Sequence, residues 1–395
     1  MQLRPHQQTA LDAMQKHSKG QIIVPTGGGK TLVAINDTKR VLTKYSSIGG
    51  NPTVVVVAPR ILLADQLSSE FLEEIDNVSV MHVHSGRTKH FTTTKSDKIK
   101  EWVDKTNGAK IIFTTYHSLH RLMEADVYVN TIYFDEAHNS VQKNFIESVD
   151  FYSLSHNASR CYFFTATPKH SLTPMKIGMN DGDIFGEVIC TVSAPKLVDE
   201  GYILPPKVKV YKSDILQKDE LTSDVDCKQI IDNIDDHQTK KILVCAKATK
   251  QIMRLIGESK FVDELAWRGY DYMWITSKYG AFINDEKVTR EEFFNVLSAW
   301  GKDDDKKFVV LHHSILAEGI NVKGLEAVLF LRSMDYIGIS QTIGRVIRKG
   351  SKEKTYGLVC VPVYSKVGIS TARRVQAVVD TVFEKGEPAI SVVKR

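Results

Sequence analysis

The sequence predicts an α/β protein made of two open, mostly parallel sheets, each flanked by helices. Three observations carry that expectation. Short apolar runs rich in β-branched and aromatic residues recur along the chain, longer mixed segments of helical period separate them, and the pattern pauses once near the middle before it resumes. At roughly 100–200 residues per domain, a chain of 395 residues accommodates two.

In the first half the strand-like runs are residues 21–24, 54–57, 78–83, 110–113, 131–134 and 161–164. Most are continuous rather than alternating, as strands buried on both faces of a parallel sheet are. Between them, residues 31–45 place Leu32, Ile35 and Leu42 at helical spacing. The pause comes next: Ser193-Ala194-Pro195 and Pro205-Pro206 bracket residues 196–204, and an acidic polar stretch runs through 219–236. Strand-like runs return at 207–210, 242–245, 272–275, 308–311, 327–331 and 356–361. The expected division is a first domain over 1–195, a linker over 196–207 and a second domain over 208–395. The last stretch, 371–395, reads as helical at first and basic at its end.

Composition narrows the class. With 42% hydrophobic and 25% charged residues, disorder, collagen and coiled coil do not describe the whole chain. An excess of 52 Lys and Arg over 47 Asp and Glu, +5 in all, permits a phosphate-backbone partner without requiring one. Five scattered cysteines with no C-x-x-C pair point to reduced thiols of a cytosol-like compartment rather than to a zinc ribbon or disulfide framework. The first residues lack the apolar segment of a secretory signal, and the longest tight apolar run, 54–58, falls far short of the ~20 residues a membrane helix needs. A soluble, cytoplasmic or otherwise intracellular protein is expected. The basic stretch Arg87, Lys89, His90, Lys95, Lys98 and Lys100 reads as a solvated loop and helix face.

In open parallel sheets ligands bind beyond the carboxyl ends of the strands. After 21–24 comes Pro25-Thr26-Gly27-Gly28-Gly29-Lys30-Thr31 and then a helix, the arrangement that cradles phosphate on backbone N–H groups and a helix N-terminus. Val24 stands where the strict P-loop pattern has glycine. Lys30 would reach the β- and γ-phosphates and the Thr31 hydroxyl would ligate Mg²⁺. After 131–134 comes Asp135-Glu136-Ala137-His138. Asp135 is the expected second anchor of Mg²⁺, and Glu136 the acceptor of a proton from the attacking water.

P-loop followed by Asp-Glu-Ala-His resembles the superfamily 2 helicases and translocases, and further motifs fall in that family's order. The resemblance implies tandem RecA-like domains with an ATP cleft between them. Arg4-Pro5-His6-Gln7 resembles the family's adenine-recognition motif, which implies that Gln7 reads the adenine edge and Arg4 flanks the base. Ala58-Pro59-Arg60 with Leu63 and Gln66, and Thr114-Thr115-Tyr116, match motifs that touch a nucleic-acid backbone, which assigns that contact to Pro59, Arg60 and Thr115. Thr165-Ala166-Thr167-Pro168 resembles the motif that couples ATP state to nucleic-acid binding, with Thr165 and Thr167 bonding back toward His138.

Residues 242–246 resemble motif IV, and Ala317-Glu318-Gly319-Ile320-Asn321 resembles motif V, which places Gly319 and Asn321 at the nucleotide. Asn321 and Lys323 stand where many relatives carry Asp and Pro. Gln341-Thr342-Ile343-Gly344-Arg345-Val346-Ile347-Arg348 resembles motif VI, implying catalytic roles for Gln341, Arg345 and Arg348. Three apart, the two arginines are expected to share a helix face and to neutralise charge on the transferring phosphoryl group. His312 and His313, adjacent on a strand, point oppositely and do not suit a metal pair.

Within the superfamily, residues 196–206 resemble the interdomain segment of the branch that includes type III restriction helicase subunits and phage recombination helicases. The resemblance implies an ATPase that uses ATP and Mg²⁺, is stimulated by nucleic acid, and works foremost on DNA, whether single-stranded, forked or branched. An RNA-directed remodeler and an ATP-gated module of a larger complex stay open as alternatives. Protein partners are not indicated.

Overall fold

The computed structural model describes residues 3–212, 221–313, 324–350, 354–363 and 366–393. By its internal contacts the chain divides into two units, Met1–Ser193 with Ile390–Arg395, and Ala194–Ala389. Each holds one eight-stranded sheet, the tandem arrangement of a RecA-like protein.

In the first unit the strands are β1 (Lys19–Ile23), β2 (Thr53–Ala58), β3 (Ser79–Val83), β4 (Phe91–Thr92), β5 (Lys110–Thr115), β6 (Thr131–Phe134), β7 (Cys161–Thr165), β8 (Lys169–His170) and β9 (Val188–Thr191). The sheet runs β4-β3-β5-β2-β6-β7-β1-β9, and every neighbouring pair is parallel. All six runs expected from the sequence are present. The two edges, β4 and β9, were not expected, because two- and four-residue strands carry too little period to register. Every residue of β2 is buried, which is why its sequence Thr-Val-Val-Val-Val-Ala does not alternate. Phe134 and Phe163 stack across β6 and β7 with centroids 4.8 Å apart, in a core that also holds Val55, Ile112 and Phe185. Each such side chain contributes roughly 1.5–3 kcal/mol by its burial.

Three helices of this unit hold or brace the loops after β1 and β2: α1 (Pro5–Lys16), α2 (Lys30–Ser46) and α3 (Ile61–Leu72). Helix α2 buries Val33, Ala34, Ile35 and Val41, together with Asp37 and Thr38 on the same face. A carboxylate there needs a partner. Arg160 provides it with two bonds of 2.9 Å to the Asp37 oxygens, and Tyr133 adds a third at 2.7 Å. Arg160 also donates to the Met14 carbonyl at 3.0 Å, as does the Tyr162 hydroxyl at 2.6 Å. The network pins α1 and α2 to the middle of the sheet.

In the second unit the strands are β10 (Pro206–Lys212), β11 (Lys241–Cys245), β12 (Asp271–Thr276), β13 (Gly280–Ile283), β14 (Glu286–Val288), β15 (Phe308–His312), β16 (Ala327–Phe330) and β17 (Gly357–Val363). The order is β10-β17-β16-β11-β15-β12-β13-β14, parallel except for the hairpin edge β12-β13-β14. That hairpin was not expected; Asn284 forms its turn with a φ of +51°, and Trp274 and Phe282 stack across it at 4.1 Å. The segment expected to link the domains is structured: Ala194–Asp199 is helical and β10 begins at Pro206. Toward the end of the sequence lies the helix Lys366–Val379, and β18 (Ser391–Val392) pairs in parallel with β8 of the first unit. All five cysteines are buried free thiols. Among the described residues no helix is long and apolar enough to cross a membrane.

Candidate nucleotide-binding site

In the first sheet β7 lies between β1 and β6, so the loop after β1 and the acidic pair after β6 emerge at the same carboxyl edge. Between β1 and α2 the loop turns tightly, with the Gly28 amide donating to the Pro25 carbonyl at 3.0 Å. Gly27 and Gly29 adopt φ of +88° and +80°. At Gly29, the residue before the first turn of α2, the positive φ calls for glycine, and a Cβ would also press on the end of the Gln7 side chain.

The underside of the loop is braced by α1. Gln7 donates to the Gly29 carbonyl at 3.2 Å and accepts from the Arg4 amide at 2.9 Å, and His6 Nε2 donates to the Gly28 carbonyl at 2.8 Å. Gln7 is buried, and in this structure its amide serves the loop backbone. Sequence reasoning gave His6 no role, although it sits inside the recognised tetrapeptide.

Lys30, Thr31 and Asp135 line one small cavity, closed by Val56, Tyr133 and Phe164. Lys30 Nζ folds back to the Val24 carbonyl at 3.4 Å. The Thr26 hydroxyl oxygen is buried and finds no hydrogen-bond partner among the described residues. An orphaned hydroxyl in a phosphate-type loop fits a ligand rich in acceptor oxygens. Burial, then repulsion from Glu136, pushes the Asp135 carboxyl up to about 7, while Lys30 opposes the rise. A bound divalent cation reverses that situation, and the hydroxyl and carboxylate oxygens of Thr31 and Asp135 are donors of the kind Mg²⁺ takes.

Glu136 is held at a φ of +46°, a left-handed conformation uncommon for a non-glycine residue and costing about 1–3 kcal/mol. The surroundings hold it there. Tyr116 donates to the Asp135 carbonyl at 2.8 Å, Asn139 to the Glu136 carbonyl at 3.0 Å, and a Glu136 oxygen lies 3.5 Å from His138 Nδ1. That same nitrogen lies 3.1 Å from Thr165 Oγ1 and 3.3 Å from Thr167 Oγ1. The structure therefore brings Glu136, His138, Thr165 and Thr167 together, along with Tyr116, whose part in bracing the acidic turn was not anticipated. Burial raises the Tyr116 phenol well above its ordinary range, so it remains a donor.

Of the residues expected to touch nucleic acid, Pro59 is half-buried and Arg60 is exposed at the start of α3. Thr115 is 3% exposed and is the last residue of β5, which runs between β3 and β2.

In the second unit the helix Tyr336–Val346 is capped by Asp335, which accepts from the Gly338 amide at 2.8 Å. Gln341 and Arg345 lie on it, both buried. The helix ends at Val346 and Ile347 serves as its C-cap, so Arg348 falls outside it. Lys354 holds the backbone there, donating to the Arg348 carbonyl at 2.8 Å, and burial pushes its ammonium down to about 8. Burial, then the charges of Arg332 and Arg345, hold His312 well below its usual range, and Cys245 Sγ lies 3.2 Å from its Nε2. Gly319 and Asn321 lie outside the described residues.

Residues 1–170 match the family described as Type III restriction enzyme, res subunit. No curated protein matches the sequence. Among solved structures, the ATP-dependent Type ISP restriction-modification enzyme LlaBIII bound to DNA superposes with a TM-score of 0.74 at 19% identity, over 100% of this chain and 31% of its own. A nuclease-deletion mutant of the Type ISP enzyme LlaGI, in complex with a DNA substrate mimic, gives 0.67 at 20% identity, over 99% and 30%. A fragment of a putative HsdR subunit of a type I restriction enzyme from Vibrio vulnificus YJ016 gives 0.63 at 16%, over 99% and 68%. The chain thus spans less than a third of the two Type ISP enzymes. The first 170 residues are thus similar to that restriction-subunit family, and the fold of the chain is similar to that of parts of these type I and type ISP restriction enzymes.

Proposed function

We propose that this chain is a DNA-directed motor module, a helicase or translocase that couples ATP hydrolysis to movement along single-stranded, forked or branched DNA. One observation carries the reading: Lys30 and Thr31 at the start of α2 and Asp135 after β6 line a single small cavity beside a braced phosphate-type loop. The DNA named with two of the similar structures supports the choice of DNA over RNA.

On this reading Lys30 leaves the Val24 carbonyl to meet the β- and γ-phosphates, and the loop amides carry the remaining charge. When bound, Mg²⁺ supplies charge neutralisation at the phosphates, held through Thr31 and Asp135. Glu136, fixed by its strained turn, orients the attacking water and takes its proton. His138 relays the state of that acid to Thr165 and Thr167. Arg345 and Arg348 of the second unit neutralise charge on the transferring phosphoryl group, and Pro59, Arg60 and Thr115 bear on the DNA backbone.

The test is one ATPase panel on purified protein with single-stranded DNA, duplex, fork, four-way junction and RNA, run beside strand displacement. Stimulation by DNA is expected, abolished in Lys30→Ala and blocked after ATP binding in Glu136→Gln. Stimulation by RNA alone would transfer the motor to RNA. Hydrolysis unaffected by any nucleic acid would leave only an ATP-gated module, and equal turnover by wild type and Glu136→Gln would remove the proposed base.

A further inference from the structure

Away from the phosphate-type loop, a second group of ligating side chains has no part in the chemistry above. Asp65 lies on α3, His82 on β3, and His84 immediately after β3. Two positions apart on an extended chain, the histidines project to the same side. Both are buried, and Asp65 is about one-third exposed. Asp65 Oδ1 lies 3.3 Å from His82 Nδ1 and 3.5 Å from His84 Nε2, and the two ring nitrogens are 3.0 Å apart.

We propose that Asp65, His82 and His84 form a binding site for a divalent transition-metal ion of the zinc class, clamping α3 to the end of β3. The geometry fits closely. Ligand bonds of about 2.0–2.2 Å in a tetrahedron give edges of about 3.3–3.6 Å; the two edges to Asp65 Oδ1 fall in that range, and the 3.0 Å edge between the imidazoles opens by a few tenths of an ångström on binding. Two imidazoles and one carboxylate are donors that zinc-class ions accept, and the fourth position falls to water. Among the described residues this is the one group of three or more His, Cys, Asp or Glu side chains whose ligand atoms converge in this way. Asp65 Oδ1 is buried with the two imidazoles as its neighbours, so the three ligand atoms face one another.

The outer contacts support the assignment at His82 and set a condition at His84. His82 Nε2 faces Ser68 Oγ at 3.1 Å, and because His82 Nδ1 accepts from His84 Nε2 its hydrogen rests on Nε2, toward the serine oxygen, which suits Nδ1 to ligate. The His90 ring stacks parallel over His82 with centroids 5.6 Å apart, shielding that side. At His84 the Gly86 amide donates to Nδ1 at 3.1 Å, which leaves the hydrogen on Nε2 in the metal-free protein. Ligation through Nε2 moves that hydrogen to Nδ1 and turns the Gly86 amide away. Two hydrogen bonds, from the Gly86 amide and from His84 Nε2 to His82 Nδ1, are exchanged for metal–ligand bonds, and the Gly86 amide becomes a reporter of the exchange.

The site rests on this cluster and not on the ATPase reading. Its consequence for a motor is nevertheless direct, because α3 begins just after Arg60 and carries Gln66. An ion fastening that helix would steady the proposed DNA contact without touching the nucleotide.

The test uses the full chain, stripped with a chelator, desalted and titrated with Zn²⁺ and separately with Co²⁺. Expected are one equivalent of zinc retained through desalting, tetrahedral d–d absorption for cobalt, a raised melting temperature, and a shift of the Gly86 amide resonance. Asp65→Asn and His84→Gln should each weaken zinc binding by roughly 100-fold or more, and Ser68→Ala by roughly 10–100-fold. Asp65→Asn is nearly isosteric and partly exposed, so it decides the matter even if a histidine variant fails to fold. Wild-type protein that retains no zinc, or an Asp65→Asn variant that binds zinc as tightly as wild type, overturns the site. Loss of ATPase in Lys30→Ala with zinc binding intact would show that the two readings stand apart.

Discussion

Arg160 grips Asp37 with both terminal nitrogens, each 2.9 Å from a different carboxylate oxygen. The pair joins β7 to the helix after the phosphate-type loop, and the Asp37 side chain is 1% exposed. Removing one member strands the other: Arg160→Leu is expected to destabilise the protein by about 3–5 kcal/mol, with the buried carboxylate left unpaired. Urea denaturation followed by circular dichroism measures it, and a loss under about 1 kcal/mol would show the pair to be dispensable.

Gly29→Ala should weaken ATP binding at least tenfold. Two costs combine there: the left-handed φ, about 1–2 kcal/mol for a residue with a Cβ, and the collision with Gln7. Shortening Gln7 in the double variant Gln7→Ala, Gly29→Ala removes the collision and leaves the backbone cost. Partial recovery is therefore the expected outcome in a fluorescent-nucleotide titration, and no recovery would mean that Gln7 holds the loop rather than merely crowding it.

The Asp135 carboxyl titrates near 7 in the folded chain because of burial and then of Glu136, against an ordinary value of 3.8. Between roughly pH 4 and 7 the folded state therefore holds more proton than the unfolded state, so stability from this group falls as pH rises through that window. Asp135→Asn should be more stable than wild type at pH 8, by about 1–3 kcal/mol, with the difference vanishing below about pH 4. Millimolar Mg²⁺ with a non-hydrolysable nucleotide should shrink the gap at pH 8. Equal stabilities across the range would mean that the carboxylate is solvated after all.

Arg348→Ala should lower ATP turnover by roughly 10³-fold while leaving DNA affinity near normal, the signature of a group that acts on the transferring phosphoryl. Arg345→Ala is expected to do this and also to lower the melting temperature, since Arg345 is 3% exposed and lies among buried groups that include His312. Turnover and thermal melts on both variants separate the effects, and unchanged turnover in Arg348→Ala would exclude it from catalysis.

How legible the molecule was depended on how local each feature is. All twelve strand-like runs became strands, since a continuous apolar stretch is a property of neighbouring residues. The edges β4, β9, β13 and β14 escaped, being too short or too exposed to show a period. The loop from Thr26 to Thr31 and the Asp135-Glu136 pair could be read because each is a contiguous string whose chemistry is written in its side chains. His6 and Tyr116 could not be assigned, for their work is done on carbonyls, Gly28 and Asp135, that lie 22 and 19 positions away. Only Asp37 left a trace of what was missed: a charge on the apolar face of a helix announces a partner without naming it.

By itself, then, the order of residues determined the α/β class, the alternation of strand and helix, and the strings that can hold phosphate and acid. Tertiary structure alone decided which strings meet: that Lys30 and Asp135 share a cavity, that Arg160 reaches Asp37 across 123 positions, and that Asp65 converges on two histidines. It also ended the helix before Arg348 and returned the chain's last strand to β8. The reason is physical. Propensity and burial period act over a few residues, whereas pairing buried charges and closing a sheet edge depend on which distant segments the collapsed core leaves side by side.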